Sequence, residues 1–142
     1  MEQLGYVNTD GGRSEAGFKG MAGDCVCRAI AISTDTPYRE VYDELFRLGK
    51  ELGVKSPSPR NHVKRKVWDR YFYYLSDWEW IPTMTIGSGC QVHLRRDELP
   101  SGRLFVRLSK HVCAVIDGVV YDNHDPRRDG TRCVYGYYRK VK

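Results

Sequence analysis

The stretch HVCAVIDGVVYD, residues 111–122, has the pattern of a β-hairpin, because two apolar and β-branched runs flank Asp117-Gly118. Asp-Gly is typical of a two-residue type I′ turn, in which both central residues need a positive φ. With such a turn, His111 lies opposite His124 across the hairpin. Asp122 then lies on the same face of the sheet as His111, as a diagonal neighbour about 7 Å away. The stretch therefore predicts a histidine and a carboxylate close together.

The choice of Asp122 depends on the length of that turn. One more residue in the turn would shift the register and bring Asn123 to the place of Asp122. Asp125, just beyond the strand, is a third candidate. His124 is a secondary candidate for the site, although a position near a turn favours an exposed surface histidine.

The periodicity of the rest of the chain predicts further strands and three helices. Strands are predicted where apolar residues alternate or cluster, at 78–81, 103–108 and 133–138. Helices are predicted at 24–32, 36–52 and 61–74. Asp24 and Thr36 are the expected N-caps of the first two. A further short helix is expected between Cys90 and Leu99.

The order of these elements predicts an α+β fold in one domain, residues 1–142. A lead-in loop at 1–23 is followed by a helical part at 24–75 and by an antiparallel sheet at 78–142. The first helix is apolar on nearly every face, so we expect it to be buried against the sheet. The length of 142 residues and the hydrophobic content of 41% suffice for one core.

Composition restricts the cellular setting. The five cysteines are an odd number without the spacing of a disulfide framework, so we expect reduced thiols. No apolar run approaches the roughly 20 residues of a membrane span, and the N-terminus lacks a signal-peptide pattern. We therefore expect a cytoplasmic protein with no membrane partner. The formal net charge of +5 falls short of the dense basic face of a dedicated nucleic-acid binder.

Cys25 is the candidate nucleophile because it follows the expected helix cap directly. Unpaired N–H groups and the helix dipole lower the pKa of a thiol at a helix start. The same N–H groups can bind the oxyanion of a tetrahedral intermediate, which places Asp24 on the substrate side of the site. His111 is the candidate base, and Asp122 is the candidate for orienting its imidazole.

Two motifs carry a resemblance to a known family: GDCVCRA at residues 23–29 and HVCAVIDG at 111–118, the second followed by Asp122. In this order they resemble the papain-like cysteine peptidase superfamily. The chain is similar in plan to small bacterial and phage-encoded members, such as bacteriocin-leader peptidases and NlpC-type cell-wall peptidases. The resemblance covers roughly residues 18–138 in the order of elements.

The resemblance implies a papain-like fold in which Cys25 is the nucleophile, His111 the base and Asp122 the orienting residue. It also implies a bacterial or phage-infected host cytosol. Papain-like peptidases usually place a glutamine about six residues before the cysteine as a second oxyanion donor. This chain has Lys19 there, and a lysine can donate instead. Lys110, directly before the histidine, adds positive charge that favours an anionic substrate.

Three other patterns carry weaker functional signals. The basic and aromatic run from Arg60 to Tyr73 has the residue types that bind single-stranded nucleic acid, but a solvated helix face with its aromatic side chains in the core explains it more simply. No CxxC spacing exists among the cysteines, so no metal site is expected. Cys90 ends the turn that begins at Gly87, and because turns often line sites it is a secondary candidate.

The sequence thus predicts a cysteine hydrolase of an amide, peptide or isopeptide bond that acts on a peptide or protein and needs no cofactor. Acyl transfer to an amine is a related outcome of the same chemistry. Two other classes stay open. One is a non-catalytic papain-like binding module, such as a phage-encoded host-interaction protein, and the other is a basic nucleic-acid-binding protein.

Overall fold

The computed structural model describes residues 3–19, 23–60 and 62–141. Its helices are α1 (Cys25–Thr34), α2 (Tyr38–Glu51) and α3 (Arg65–Leu75). The strands in this part of the chain are β1 (Gly5–Asn8), β2 (Trp78–Pro82), β3 (Val92–His93), β4 (Arg103–Leu108), β5 (His111–Ile116), β6 (Val119–Asp122) and β7 (Cys133–Lys140). The predicted α+β class is therefore confirmed.

The strands form a mixed sheet in the order β1-β6-β5-β4-β7-β2, with β3 paired to β7 beside this path. The paired strands are antiparallel except β1, which runs parallel to β6. The sheet is thus not purely antiparallel, and residues 1–23 contain a strand where only a loop was expected. The pairing of β1 is anchored by backbone bonds from Gly5 to Gly118 and from Thr9 to Asp122, each 2.9 Å long. Its partner lies at the far end of the sequence, so no local pattern predicts it.

The hairpin of β5 and β6 has the predicted two-residue turn. Asp117 has a φ of 48° and Gly118 a φ of 80°, which is the positive pair that a type I′ turn requires. Ile116 pairs with Val119 across the turn. Asp122 ends β6 in this register, as predicted, and the shifted register that would favour Asn123 does not occur.

Helix α1 is buried against the sheet, as its all-round apolar pattern predicts. Seven of its ten residues are buried, and it packs against β5. The same core contains aromatic side chains from α3 and the sheet: Trp68, Tyr71, Phe72, Phe105 and Tyr138. Tyr73 and Tyr74, by contrast, are exposed on the outer face of α3. None of the described helices is long and apolar enough to cross a membrane.

The helix starts differ in detail from the predictions. Asp24 is the N-cap residue of α1, but its side chain makes no capping hydrogen bond. The N-cap of α2 is Pro37 rather than Thr36. Helix α3 begins at Arg65, and of the four earlier residues that were predicted to be helical, Asn61 lies outside the described residues.

The short helix expected between Cys90 and Leu99 does not form. Cys90 is joined to Cys133 by a disulfide, and β3 pairs with β7 immediately after it. These two links hold the segment against an extended strand, which excludes helical geometry there. The expectation of five reduced thiols is therefore wrong for this pair, whereas Cys25, Cys27 and Cys113 are free.

Gly136 in β7 makes room for the Trp80 ring, which packs against Trp68 and Tyr138. A Cβ at position 136 would overlap that ring. We expect Gly136→Ala to lower the free energy of unfolding by about 1–3 kcal/mol, as overpacking does. In a Trp80→Ala background the same change should cost far less. Urea unfolding of the four proteins measures the coupling, and an equal cost in both backgrounds would contradict this account.

Candidate active site

Cys25 and His111 lie beside one another because their elements pack together. Cys25 is the first residue of α1, His111 is the first residue of β5, and α1 lies against β5. Both residues line a pocket of about 130 Å³. Each of the two side chains also acts on the pKa of the other. The structure thus brings together the two residues that the sequence singled out for attack and proton transfer.

Asp122 completes this cluster from the neighbouring strand. Its Oδ2 lies 2.6 Å from His111 Nε2, and its carboxyl group is buried. The backbone N–H of Asn123 donates to Oδ1 at 2.7 Å. Since Nε2 faces the carboxylate, Nδ1 is the ring nitrogen that remains for the Cys25 thiol. Asp122 therefore determines both the orientation and the tautomer of the imidazole.

The pKa values of this cluster are displaced in opposite directions. Burial raises the pKa of Cys25, but the hydrogen bond and charge of His111 and the N–H of Val112 outweigh it, so the pKa is lowered. For His111 burial has the opposite effect and lowers the pKa, but Asp122 and Cys25 raise it to about 9. The imidazolium is therefore present at neutral pH beside a thiol that deprotonates more easily than usual. This arrangement favours a thiolate–imidazolium pair.

Arg28 links the cluster to the start of α1, and the sequence analysis did not identify it. Its side chain is buried and contacts Asp24 Oδ1 and, at 3.2 Å, Asp122 Oδ1. Burial raises the pKa of Asp122, but His111, the Asn123 N–H and Arg28 lower it overall. The signal for this role was a single charged residue inside an otherwise apolar helix, four positions after an aspartate.

Asp24 has a structural role instead of one on the substrate side. Its Oδ2 accepts a hydrogen bond of 2.6 Å from the Tyr38 hydroxyl, and Arg13 Nη1 lies 3.8 Å away. With Arg28 on Oδ1, both carboxylate oxygens are occupied inside the protein. The side chain is only 2% exposed, so it does not face a substrate.

The start of α1 offers backbone donors beside Cys25. The first hydrogen bond of the helix runs from Arg28 N to Asp24 O at 3.0 Å. The N–H groups of residues 25–27 therefore precede the helical ladder, which is the position from which a helix start can bind an oxyanion. Lys19 is exposed and does not line the pocket, and its carbonyl accepts a hydrogen bond from Arg13. Its role as a second oxyanion donor stays a prediction.

The secondary candidates lie at the edge of the cluster or away from it. His124 is exposed, with its ring centroid 4.8 Å from that of His111, and its Nδ1 lies 3.0 Å from the Asn123 side-chain oxygen. Asp125 instead holds Arg127 in a salt bridge. Cys90 is occupied by its disulfide and does not line the Cys25 pocket.

One group of side chains has the composition of a metal site. One ligand atom each from His111, Asp122 and His124 lies within 4.8 Å of the others. However, Asp122 Oδ2 already binds His111 and Oδ1 already binds Arg28, so a cation held by both His111 and Asp122 would have to replace the hydrogen bond between them. The contacts therefore favour hydrogen bonding over metal ligation among these residues.

Replacing Arg28 by methionine should destabilise the fold strongly, because it leaves Asp24 and Asp122 buried without their shared cation. We expect a loss of about 3–5 kcal/mol in the free energy of unfolding at neutral pH. The folded-state pKa of Asp122 is lowered, so its stabilisation exists above the unfolded pKa of about 3.9 and disappears as the pH falls through the folded value. The deficit of Arg28→Met should therefore shrink below about pH 4.

The matched control is Arg47→Met on α2, which removes an arginine that also bridges two carboxylates, Glu44 and Glu51, but in solvent. This change should cost far less than Arg28→Met, because solvent screens exposed ion pairs. Urea unfolding at pH 7 and pH 3.5 measures both variants. Equal losses for the two arginines would refute the bridging role of Arg28.

Comparison of the chain with protein-family models, curated proteins and solved structures finds no match. The interpretation of the site therefore rests on its own geometry and chemistry.

Proposed function

We propose that this protein is a cysteine hydrolase that cleaves an amide, peptide or isopeptide bond. The observation that carries the proposal is that Cys25, at the start of α1, lines the same pocket as His111, whose Nε2 is held by Asp122. A lowered thiol pKa beside a raised imidazole pKa is the electrostatic state that an activated cysteine nucleophile needs.

In the first half of the reaction, the Cys25 thiolate attacks the carbonyl carbon and forms a C–S bond. The carbonyl electron pair moves to oxygen, and the N–H groups at the start of α1 bind this oxyanion. His111 then gives its proton to the leaving nitrogen as the C–N bond breaks. The amine departs and a thioester remains on Cys25.

In the second half, His111 takes a proton from water and the resulting hydroxide attacks the thioester. The C–S bond breaks, the acid leaves, and the thiolate–imidazolium pair is restored. Asp122 stabilises the imidazolium and keeps its ring in place throughout. An amine in place of this water would give acyl transfer with the same groups.

The papain-like plan is part of the same proposal. It is supported by the chain order of cysteine, histidine and aspartate, and by their positions at a helix start, at a strand start and on the next strand. The proposed location in a bacterial or phage-infected cytosol has less support, because the Cys90–Cys133 disulfide is atypical of a reducing compartment.

The pH dependence of alkylation tests the activated thiol without a substrate. We expect the rate of Cys25 modification by iodoacetamide to reach its plateau well below the ordinary thiol pKa of about 8.5. In His111→Ala the midpoint should move above that of the native protein, because burial of Cys25 then acts without the imidazolium. Mass spectrometry of the labelled peptide gives the rate from pH 4 to 10.

Cys25→Ser is the control for labelling at other sites. Burial raises the pKa of Cys27 to about 12 and also raises that of Cys113, so neither thiol should react below pH 9. An ordinary thiol curve that His111→Ala leaves unchanged would overturn the proposed function.

A further inference from the structure

The charged side chains that line the pocket beside Cys25 are all basic. Three of its lining side chains are permanent cations, Arg65, Arg107 and Lys110, and His62 is a fourth basic group. None of the described residues that line it carries a carboxylate. A cavity next to a candidate nucleophile and surrounded by cations attracts an anionic group.

These cations come from three separate elements and meet at the pocket. Arg65 opens α3, Arg107 is on β4, and Lys110 lies in the turn between β4 and β5, directly before His111. Arg65 is partly neutralised, since its Nε lies 3.3 Å from Asp69 Oδ2. Within the described residues, Arg107 and Lys110 form no ion pair. Their charge is therefore available to a bound group.

The charges of Cys25, His111 and Asp122 do not cancel the positive potential of Arg107 and Lys110. A thiolate on Cys25 and an imidazolium on His111 have opposite charges that sum to zero, and the carboxylate of Asp122 is already paired with Arg28. The net potential of the pocket is thus set by Arg107 and Lys110, with a smaller part from Arg65. Asp69, which lies beside Arg65, also accepts a hydrogen bond from the Tyr138 hydroxyl.

The remaining wall of the pocket is apolar. Val63 and Trp68 from the α3 side and Val112 from β5 are buried and line it. The charge of the pocket therefore acts across a wall of low polarity, where Coulomb attraction is stronger than in water. A short aliphatic stem that ends in a carboxylate matches both features of such a pocket.

We propose that the substrate of this site is an acidic peptide segment, with an aspartate or glutamate side chain in the pocket next to the bond that is cleaved. This inference rests on the proposed function, because it names the substrate class of the same site. The carboxylate faces Arg107 and Lys110, and its stem lies against Trp68.

Two alkylating reagents that differ only in charge test the inference: chloroacetyl-glutamate α-amide and chloroacetyl-glutamine α-amide. In both, the Cys25 sulfur displaces chloride, so that a C–S bond forms as the C–Cl bond breaks. The rate of Cys25 alkylation by the glutamate reagent is divided by the rate with the glutamine reagent. This ratio is corrected for the intrinsic reactivity of the two reagents by dividing it by the same ratio measured with N-acetylcysteine amide, a free thiol. We expect a corrected preference for the glutamate reagent of about five- to tenfold at 10 mM salt, falling toward one at 1 M salt as screening increases.

Arg107→Gln and Lys110→Gln should each lower this preference, and the double variant should bring it to about one. Arg47→Gln, which removes an exposed arginine on α2, is the matched control and should leave the preference unchanged. A double variant that keeps the native preference would overturn the assignment to these two cations.

The experiment separates failure of this inference from failure of the proposed function. One outcome is a corrected ratio of one or less, while the alkylation rate with both reagents still reaches its plateau at a pH well below the ordinary thiol pKa. This outcome would overturn the acidic substrate and leave the hydrolase. An ordinary thiol curve with both reagents would overturn the hydrolase and the acidic substrate together.

Discussion

The bridge of Arg28 between Asp24 and Asp122 is the interaction on which the arrangement of the site depends. Arg28 and Asp24 belong to the start of α1, next to Cys25, whereas Asp122 ends the strand that orients His111. Two buried carboxylates with no cation between them would repel each other. With Arg28 in place, the helix that carries the thiol and the hairpin that carries the imidazole are held by one side chain.

The three free cysteines of the described residues differ in the direction in which their thiol pKa is shifted. Cys27 and Cys113 are buried and Cys25 is half-buried, and burial by itself acts to raise the pKa of each. Only Cys25 has an imidazolium beside it, and only there is the pKa lowered. The direction of the pKa shift is thus decided by one neighbour, whereas burial prevails at the other two thiols.

Sequence patterns predicted the parts of this protein that local chemistry determines. Asp117-Gly118 prescribes its own turn type, and that turn fixes which of Asp122 and Asn123 shares a face with His111. The all-round apolar pattern of α1 predicted its burial in the same way. The parts that were missed depend on partners far apart in the chain: β1 with β6, Cys90 with Cys133, and Arg28 with Asp122. Asp24 occupies the predicted N-cap position, but its buried contact with Arg28 was missed, because their spacing gives no indication of how deeply both are buried.

The pairing of β1 with β6 has a consequence for synthesis on the ribosome. Cys25 and the first strand leave the exit tunnel long before His111 and Asp122 are translated, yet β1 pairs with the same strand that ends at Asp122. During translation the thiol therefore lacks both its imidazole and its carboxylate, and β1 has no edge on which to dock. The nascent polypeptide therefore carries a cysteine without the neighbours that lower its pKa, and these arrive only when the last third of the chain has folded onto the first.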